Sequence, residues 1–113
     1  MLLSLGMLLL FLAHDQERPT PGRCLAIAEL QQSRLEPTLA LFRADAAREK
    51  AGEPARFKSA QRDRLAVALE QDLHDSATVR QRYAGAAITD SDRAGPETTG
   101  GTVIKTIKAC LKP

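Results

Sequence analysis

The sequence predicts an all-α fold: a small bundle of three to four helices built around a helical hairpin, with a loop before a short C-terminal helix. Two apolar patterns predict the hairpin. One is a one-sided stripe at helical spacing, Leu35, Leu39, Phe42 and Ala46, and the other repeats at multiples of four, Phe57, Leu65, Leu69 and Leu73. Because the link between them is short, the two helices are expected to run antiparallel and to bury each other's apolar face.

Length and composition indicate one folded domain. The chain has 113 residues, which is room for one small core, and its 43% hydrophobic and 27% charged residues are typical of a folded chain. Sixteen Lys and Arg residues against fourteen Asp and Glu give a net charge of only +2. A nucleic-acid partner is therefore not expected, since a surface that follows phosphates carries a stronger basic excess.

Residues 1–13 are uncharged and almost entirely apolar. As a helix they would rise about 20 Å, less than the roughly 30 Å of a bilayer core, so they are predicted to be a signal peptide or a short N-terminal anchor. No basic residue precedes the run, and cleavage after Ala13 would leave bulky Phe11 where a small residue is preferred. A start site assigned too far downstream would explain the first departure, and an uncleaved anchor the second. The expected location is periplasmic or secreted, or alternatively at a membrane that residues 1–13 contact, and a buried cytosolic helix is the remaining alternative.

Two cysteines lie near the two ends of the part that follows this leader. A polar linker at residues 14–22 is predicted to lead into a helical domain at residues 23–113. Cys24 and Cys110 are predicted to form one disulfide, which would stabilise the fold by about 4 to 5 kcal/mol through its effect on the unfolded chain. That contribution matters because few aromatic residues follow the leader. The alternative is a pair of buried thiols that are not bonded.

Proline and glycine divide the predicted helical domain. The first helix is expected to begin near Arg23 and to break or kink at Pro37, because proline lacks an amide donor and biases the preceding residue away from the α region. Pro37 would then open a second helix, and Gly52 would end it. A third helix is predicted from Pro54 to about Tyr83.

The C-terminal part is predicted to be a loop followed by a helix. Residues 85–101 are rich in Gly, Pro, Thr and Asp, which is typical of a loop. Thr102 can then cap a helix with Val103, Ile107 and Leu111 on one face. The β-branched residues of this segment would also suit a strand, but its apolar residues do not alternate as strand residues do.

No motif in the sequence predicts a catalytic residue, a cofactor site or a metal site. Residues 95–102 approach the spacing of a phosphate-binding loop, but Gly101 stands where that loop requires lysine. Glu70 and His74 are one helical turn apart, yet a catalytic zinc site needs three protein ligands and no other histidine lies in the predicted domain. The chain has no Gly-x-Ser-x-Gly segment either. We therefore expect no cofactor, and an enzymatic function is not favoured.

Seven basic residues cluster around the predicted bend of the hairpin and outnumber the four acidic residues there. They are Arg43, Arg48, Lys50, Arg56, Lys58, Arg62 and Arg64. They form either a solvated helix face with local ion pairs or an interaction patch. As a patch they would bind anionic lipid head groups or an acidic protein, since no aromatic platform for stacking bases accompanies them.

These observations together predict a binding protein. The favoured function is a small exported helical accessory protein with a protein partner. The alternative is a membrane-tethered protein whose basic hairpin end binds an anionic membrane surface or an acidic partner. A small enzyme is the third interpretation.

Overall fold

A computed structural model describes residues 18–93 and 100–113, and over these residues its regular structure is helical. The four helices are α1 (Pro21–Lys50), α2 (Ser59–Arg82), α3 (Asp90–Arg93) and α4 (Gly100–Leu111). The predicted all-α class, the hairpin and the short C-terminal helix are confirmed, and the strand alternative for the C-terminal segment is wrong. The predicted leader, residues 14–17 of the predicted linker and residues 95–99 of the phosphate-loop-like segment lie outside the described residues.

Helix α1 is continuous through Pro37, so the predicted break there is wrong. Proline in a helix interior removes one backbone hydrogen bond and costs about 3 kcal/mol. Pro37 lies on the exposed side of α1, while Gln31 before it and Leu39 after it are both buried. Packing against α2 on both sides of the proline outweighs the local cost, and the two helices predicted for residues 23–52 are one.

The helix ends differ from the predicted ends by a few residues, each for a local reason. Thr20 caps α1 by accepting the amide of Arg23 at 3.1 Å, so α1 begins at Pro21. The helix after the bend begins at Ser59 rather than at Pro54. Ser59 follows a turn in which the amides of Arg56 and Phe57 donate to the Asp45 carboxylate of α1, so these residues are not part of the helix. Helix α4 begins at Gly100, so Thr102 lies inside it and is not its cap.

The two long helices pair in constant register. Ser76 of α2 donates its hydroxyl to the side-chain oxygen of Gln31 in α1 at 3.0 Å, and both side chains are buried. Fourteen residues further along α1, Asp45 contacts Arg62, which lies fourteen residues before Ser76 in α2. Equal steps along two antiparallel helices indicate side-by-side packing over about four turns.

The apolar core lies at the end of the hairpin where α1 begins and α2 ends. Its buried members are Cys24, Ile27, Ala28, Val79, Val103, Ile107 and Cys110. The predicted Cys24–Cys110 disulfide is confirmed, with the two Cα atoms 5.8 Å apart. Helix α4 is therefore held against α1 and α2 by both a covalent bond and apolar contacts.

Two neighbouring side chains, those of the last residue of α2 and of the residue after it, bind the end of α4. Arg82 donates to the backbone oxygens of Cys110 at 2.9 Å and of Lys112 at 3.0 Å, and the Tyr83 hydroxyl donates to Cys110 at 3.3 Å. The last carbonyl groups of a helix have no partner within the helix, and a cation beside them is favourable. These contacts keep the C-terminus of α4 beside the disulfide.

The short helix α3 packs against the start of α1. Thr20 donates its hydroxyl to the Asp92 carboxylate at 3.1 Å, and Asp92 also accepts the amide of Thr89 at 2.9 Å. Gly22 is buried at this contact, where a Cβ atom would meet the carbonyl oxygen of Ala87 and the carboxylate of Asp92. Glycine at this position permits the close approach of the two segments.

Candidate functional site

Arg62, one of the seven residues of the predicted basic patch, is buried rather than available at the surface. Its guanidinium donates to Asp45 at 3.0 Å, to Glu49 at 3.2 Å and to Asp63 at 2.9 Å, and its side chain is 3% exposed. Hydrogen bonds to Asp63, Asp45 and Glu49 raise the pKa of Arg62 further above its ordinary range. A buried guanidinium is stable when several acceptors surround it. Arg62 thus belongs to an internal network.

Asp45 joins this network to the turn between the long helices. Its two carboxylate oxygens accept the amides of Arg56 at 2.7 Å and of Phe57 at 3.3 Å. The amide of Arg56, with smaller contributions from Arg62 and the amide of Phe57, holds the pKa of Asp45 below its ordinary range against the opposing effect of burial. The turn is therefore fixed to α1 by a carboxylate that stays ionised.

Glu49 makes the neighbouring contact between the two helices. It accepts the hydroxyl of Ser59, the first residue of α2, and the guanidinium of Arg62. These hydrogen bonds, that from Ser59 first, lower the pKa of Glu49 below its ordinary range. Residues of both helices thus converge on the start of α2 and set its position.

Two other basic residues of the predicted patch form exposed ion pairs. Arg43 contacts Glu70 across the hairpin at 3.3 Å, and Arg48 contacts Glu53 at 3.2 Å. Exposed pairs of this kind contribute about 0 to 1 kcal/mol. Their positive charge is partly compensated, which reduces what they offer to a partner.

The tip of the hairpin carries the remaining basic residues close to the bend. We define the tip as Lys50, Arg56, Phe57 and Lys58, all of which are exposed. Within the described residues, its three cations form no ion pair. The Phe57 ring is 41% exposed and packs edge-to-face on Phe42 of α1 with the ring centres 5.2 Å apart. The tip thus combines an anchored aromatic ring with uncompensated positive charge.

The exposure of Phe57 corrects the predicted apolar stripe of the second long helix. The spacing placed Phe57 and Leu65 in a core stripe, but Phe57 precedes Ser59 and lies in the turn, and Leu65 is 46% exposed. The sequence signal that could have located the turn is Asp45, an acidic residue inside the apolar stripe of α1, whose carboxylate accepts the amides of Arg56 and Phe57. Arg64, the seventh basic residue, is exposed on α2 beyond the tip.

An open groove of about 630 Å³ lies between α1 and α2 and includes the predicted Glu70 and His74 pair. Leu39 and Leu73 form its apolar part, and Arg43 already pairs with Glu70. Among residues 18–93 and 100–113, no three His, Cys, Asp or Glu side chains are placed to hold a metal ion together. The groove therefore offers a mixed surface with one His.

Among residues 18–93 and 100–113, no helix is both long enough and apolar enough to cross a bilayer. Searches with the chain against protein-family models, curated protein sequences and solved structures found no match.

Proposed function

We propose that this chain is an exported accessory protein that binds an acidic protein partner through the tip of its hairpin. The observation that carries the proposal is the attachment of the turn to Asp45, which fixes Arg56 and Phe57 relative to the helices. A partner then meets an aromatic ring that packs on Phe42, beside three cations carried by the end of α1 and by a backbone turn that is fixed to α1. Aromatic residues and arginine are enriched in protein interfaces, and preorganised groups bind with a smaller entropic cost.

The proposed export rests on the leader pattern and on the disulfide. Residues 1–13 have the length and apolarity of a signal peptide's central region. The Cys24–Cys110 bond is compatible with an oxidising compartment, where disulfides form and persist. Both observations support a periplasmic or extracellular site of action for the tip.

The position of the tip favours a protein over a membrane surface as its partner. The leader joins the domain at the N-terminal end of α1, and the tip follows its C-terminal end, which thirty helical residues place about 45 Å away. A chain anchored by residues 1–13 would reach the same membrane with its tip only by lying flat. The membrane alternative retains one supporting feature, since Phe57 between Arg56 and Lys58 also suits an anionic lipid interface.

The test is site-specific photo-crosslinking in cells that express the chain, with the crosslinking residue at Ala51 beside the tip. We expect a crosslinked acidic protein that is lost in the variant Arg56→Glu, Lys58→Glu. The matched control, Lys105→Glu with Lys112→Glu, makes the same change in net charge at the other end of the hairpin and is expected to retain the crosslink.

Two outcomes would contradict the proposal. A crosslink that persists in the tip variant would show that the tip is not the contact surface. Sedimentation of the wild-type chain, but not of the tip variant, with phosphatidylglycerol vesicles in the absence of a protein crosslink would instead support the membrane alternative.

A further inference from the structure

The packing of α4 shows which face of the hairpin accepts another helix. Ile27 of α1 and Val79 of α2 are 2% and 0% exposed, and they belong to one cluster with Val103 and Ile107 of α4. The seam between Ile27 and Val79 is therefore the surface that α4 covers.

The same seam continues along the hairpin without α4 over it. Leu41 lies fourteen residues after Ile27, and Leu65 lies fourteen residues before Val79, so each returns to the same face of its helix after two heptads. The Asp45 to Arg62 contact, four residues from Leu41 and three from Leu65, places the two leucines at nearly the same level. They are 59% and 46% exposed. Ala68, about one turn after Leu65, is exposed as well. We call Leu41, Leu65 and Ala68 together the uncovered seam.

Charges on this side of α2 change sign across Ala68. Arg64 lies one turn before Ala68 and forms no ion pair within the described residues, and Asp72 lies one turn after it. Asp72 is half-buried, and burial together with the charge of Asp75 raises its pKa, although Lys108 partly compensates. The carboxylate of Asp72 thus has an incompletely compensated charge one turn from a small residue.

This order of charges is self-complementary. Two copies of α2 that meet antiparallel at Ala68 bring Arg64 of each copy opposite Asp72 of the other, and Leu65 of each copy to a level between Ala68 and Asp72 of the other. A two-fold axis requires such a surface, in which the same residues serve both subunits. We propose that the chain forms a two-fold symmetric dimer in which the uncovered seam of one copy packs against that of a second copy.

The charges of Arg64 and Asp72 also determine how the second copy is oriented on the seam. A parallel arrangement of two copies would place Arg64 against Arg64 and Asp72 against Asp72, and repulsion disfavours it. The antiparallel arrangement also keeps the tips at opposite ends of the dimer, where both stay accessible. The dimer is therefore independent of the contact proposed for the tip.

The first experiment is sedimentation equilibrium of the oxidised full-length chain and its variants. Leu65→Glu puts a carboxylate into the seam beside Asp72 of the second copy and is expected to raise the dimer dissociation constant by more than about tenfold. Val67→Glu, which changes an exposed apolar residue on another face of α2, is the matched control and should leave the constant unchanged. Far-ultraviolet circular dichroism checks that both variants fold.

A charge exchange tests the proposed orientation. Arg64→Asp and Asp72→Arg should each weaken the dimer by roughly tenfold, and the two changes in one chain should restore it, because the opposite charges again face each other. A monomeric wild-type chain would overturn the proposal, as would association that Leu65→Glu leaves unchanged, such as self-association through residues 1–13. Failure of the double variant to recover would overturn the antiparallel arrangement. Arg56→Glu at the tip should not affect the constant, which separates this result from that of the tip proposal.

Discussion

Asp45 and Arg62 form an ion pair of 3.0 Å at the end of the hairpin that lies away from the disulfide, and both side chains are 3% exposed. Asp45 has a second task, since it accepts the two amides that fix the turn. One buried carboxylate therefore determines both how α2 starts and how the tip is presented. The apolar core and the disulfide hold the opposite end of the hairpin, so each end has its own means of stabilisation.

Replacing Asp45 with Asn should destabilise the protein and loosen the turn. The amide of Asn is uncharged, so the buried Arg62 loses its best-shielded counter-charge, which is among the most destabilising single changes. We expect a clear fall in Tm and faster amide hydrogen exchange at Arg56 and Phe57, by about tenfold or more. Asp63→Asn is the control, because Asp63 contacts the same guanidinium from an exposed position. Equal effects of the two substitutions would contradict the role of Asp45.

Acid should destabilise the protein through the same carboxylates. The pKa values of Asp45 and Glu49 are lowered in the folded state, so their contribution is present above their ordinary values of about 4 to 4.5 and is lost as the pH falls through the folded-state values. Asp72 has the opposite sign, because its raised pKa means that its protonation stabilises the folded state. The fall of Tm below about pH 4.5 should be shallower in Asp45→Asn and steeper in Asp72→Asn than in the wild type. Identical slopes in all three proteins would refute this assignment.

The fold class was predictable from the sequence because the spacing of apolar residues along the chain indicates helices. The disulfide was predictable because two cysteines allow only one pairing. The stripe around Leu39 and the terminal cysteines indicated the hairpin and the bridge. The predicted break at Pro37 is wrong because the prediction considers only the local cost of proline in a helix. Contacts with α2 on either side of Pro37 keep α1 continuous. The internal role of Arg62 was not predictable either, since its partners Asp45 and Glu49 lie on the other long helix and only the folded hairpin brings them to it.

Pro37→Ala should stabilise the protein. The proline lies on the exposed side of α1, so its removal creates no cavity, and alanine restores an amide that can donate to the carbonyl group of Ser33. We expect the free energy of unfolding to increase by about 1 to 3 kcal/mol, less the entropy that the unfolded chain regains. Urea denaturation measures this change. Pro54→Ala, outside the helices, is the control and should give no gain, and a destabilised Pro37→Ala protein would mean that the proline is required.

Removing the disulfide should cost much of the stability of the fold. The bond joins cysteines 86 positions apart, which corresponds to about 4 to 5 kcal/mol in the chain-entropy model. The variant Cys24→Ala, Cys110→Ala avoids new buried hydroxyl groups and should unfold at a much lower denaturant concentration than the oxidised wild type. It should resemble the reduced and alkylated wild type. Intact-mass measurement after alkylation without reductant provides the direct check, because two alkylated cysteines in protein from its native compartment would show that no bond forms there.

Gly22→Ala should destabilise the protein although helix propensity predicts the reverse. Alanine is favoured over glycine inside a helix by about 1 kcal/mol. At Gly22, however, the added methyl group meets the carbonyl oxygen of Ala87 and the carboxylate of Asp92, and a backbone oxygen cannot turn aside as a side chain can. We expect a net loss of about 1 to 3 kcal/mol, with chemical-shift changes concentrated at residues 86–93, where the segment must move away from α1. The double variant Gly22→Ala, Asp92→Ala keeps the conflict with the carbonyl oxygen of Ala87 but removes that with the Asp92 carboxylate. Its loss of stability should therefore be smaller than the sum of the losses in the two single variants. A stabilised Gly22→Ala protein with unchanged spectra at residues 86–93 would show that the two segments do not pack this closely.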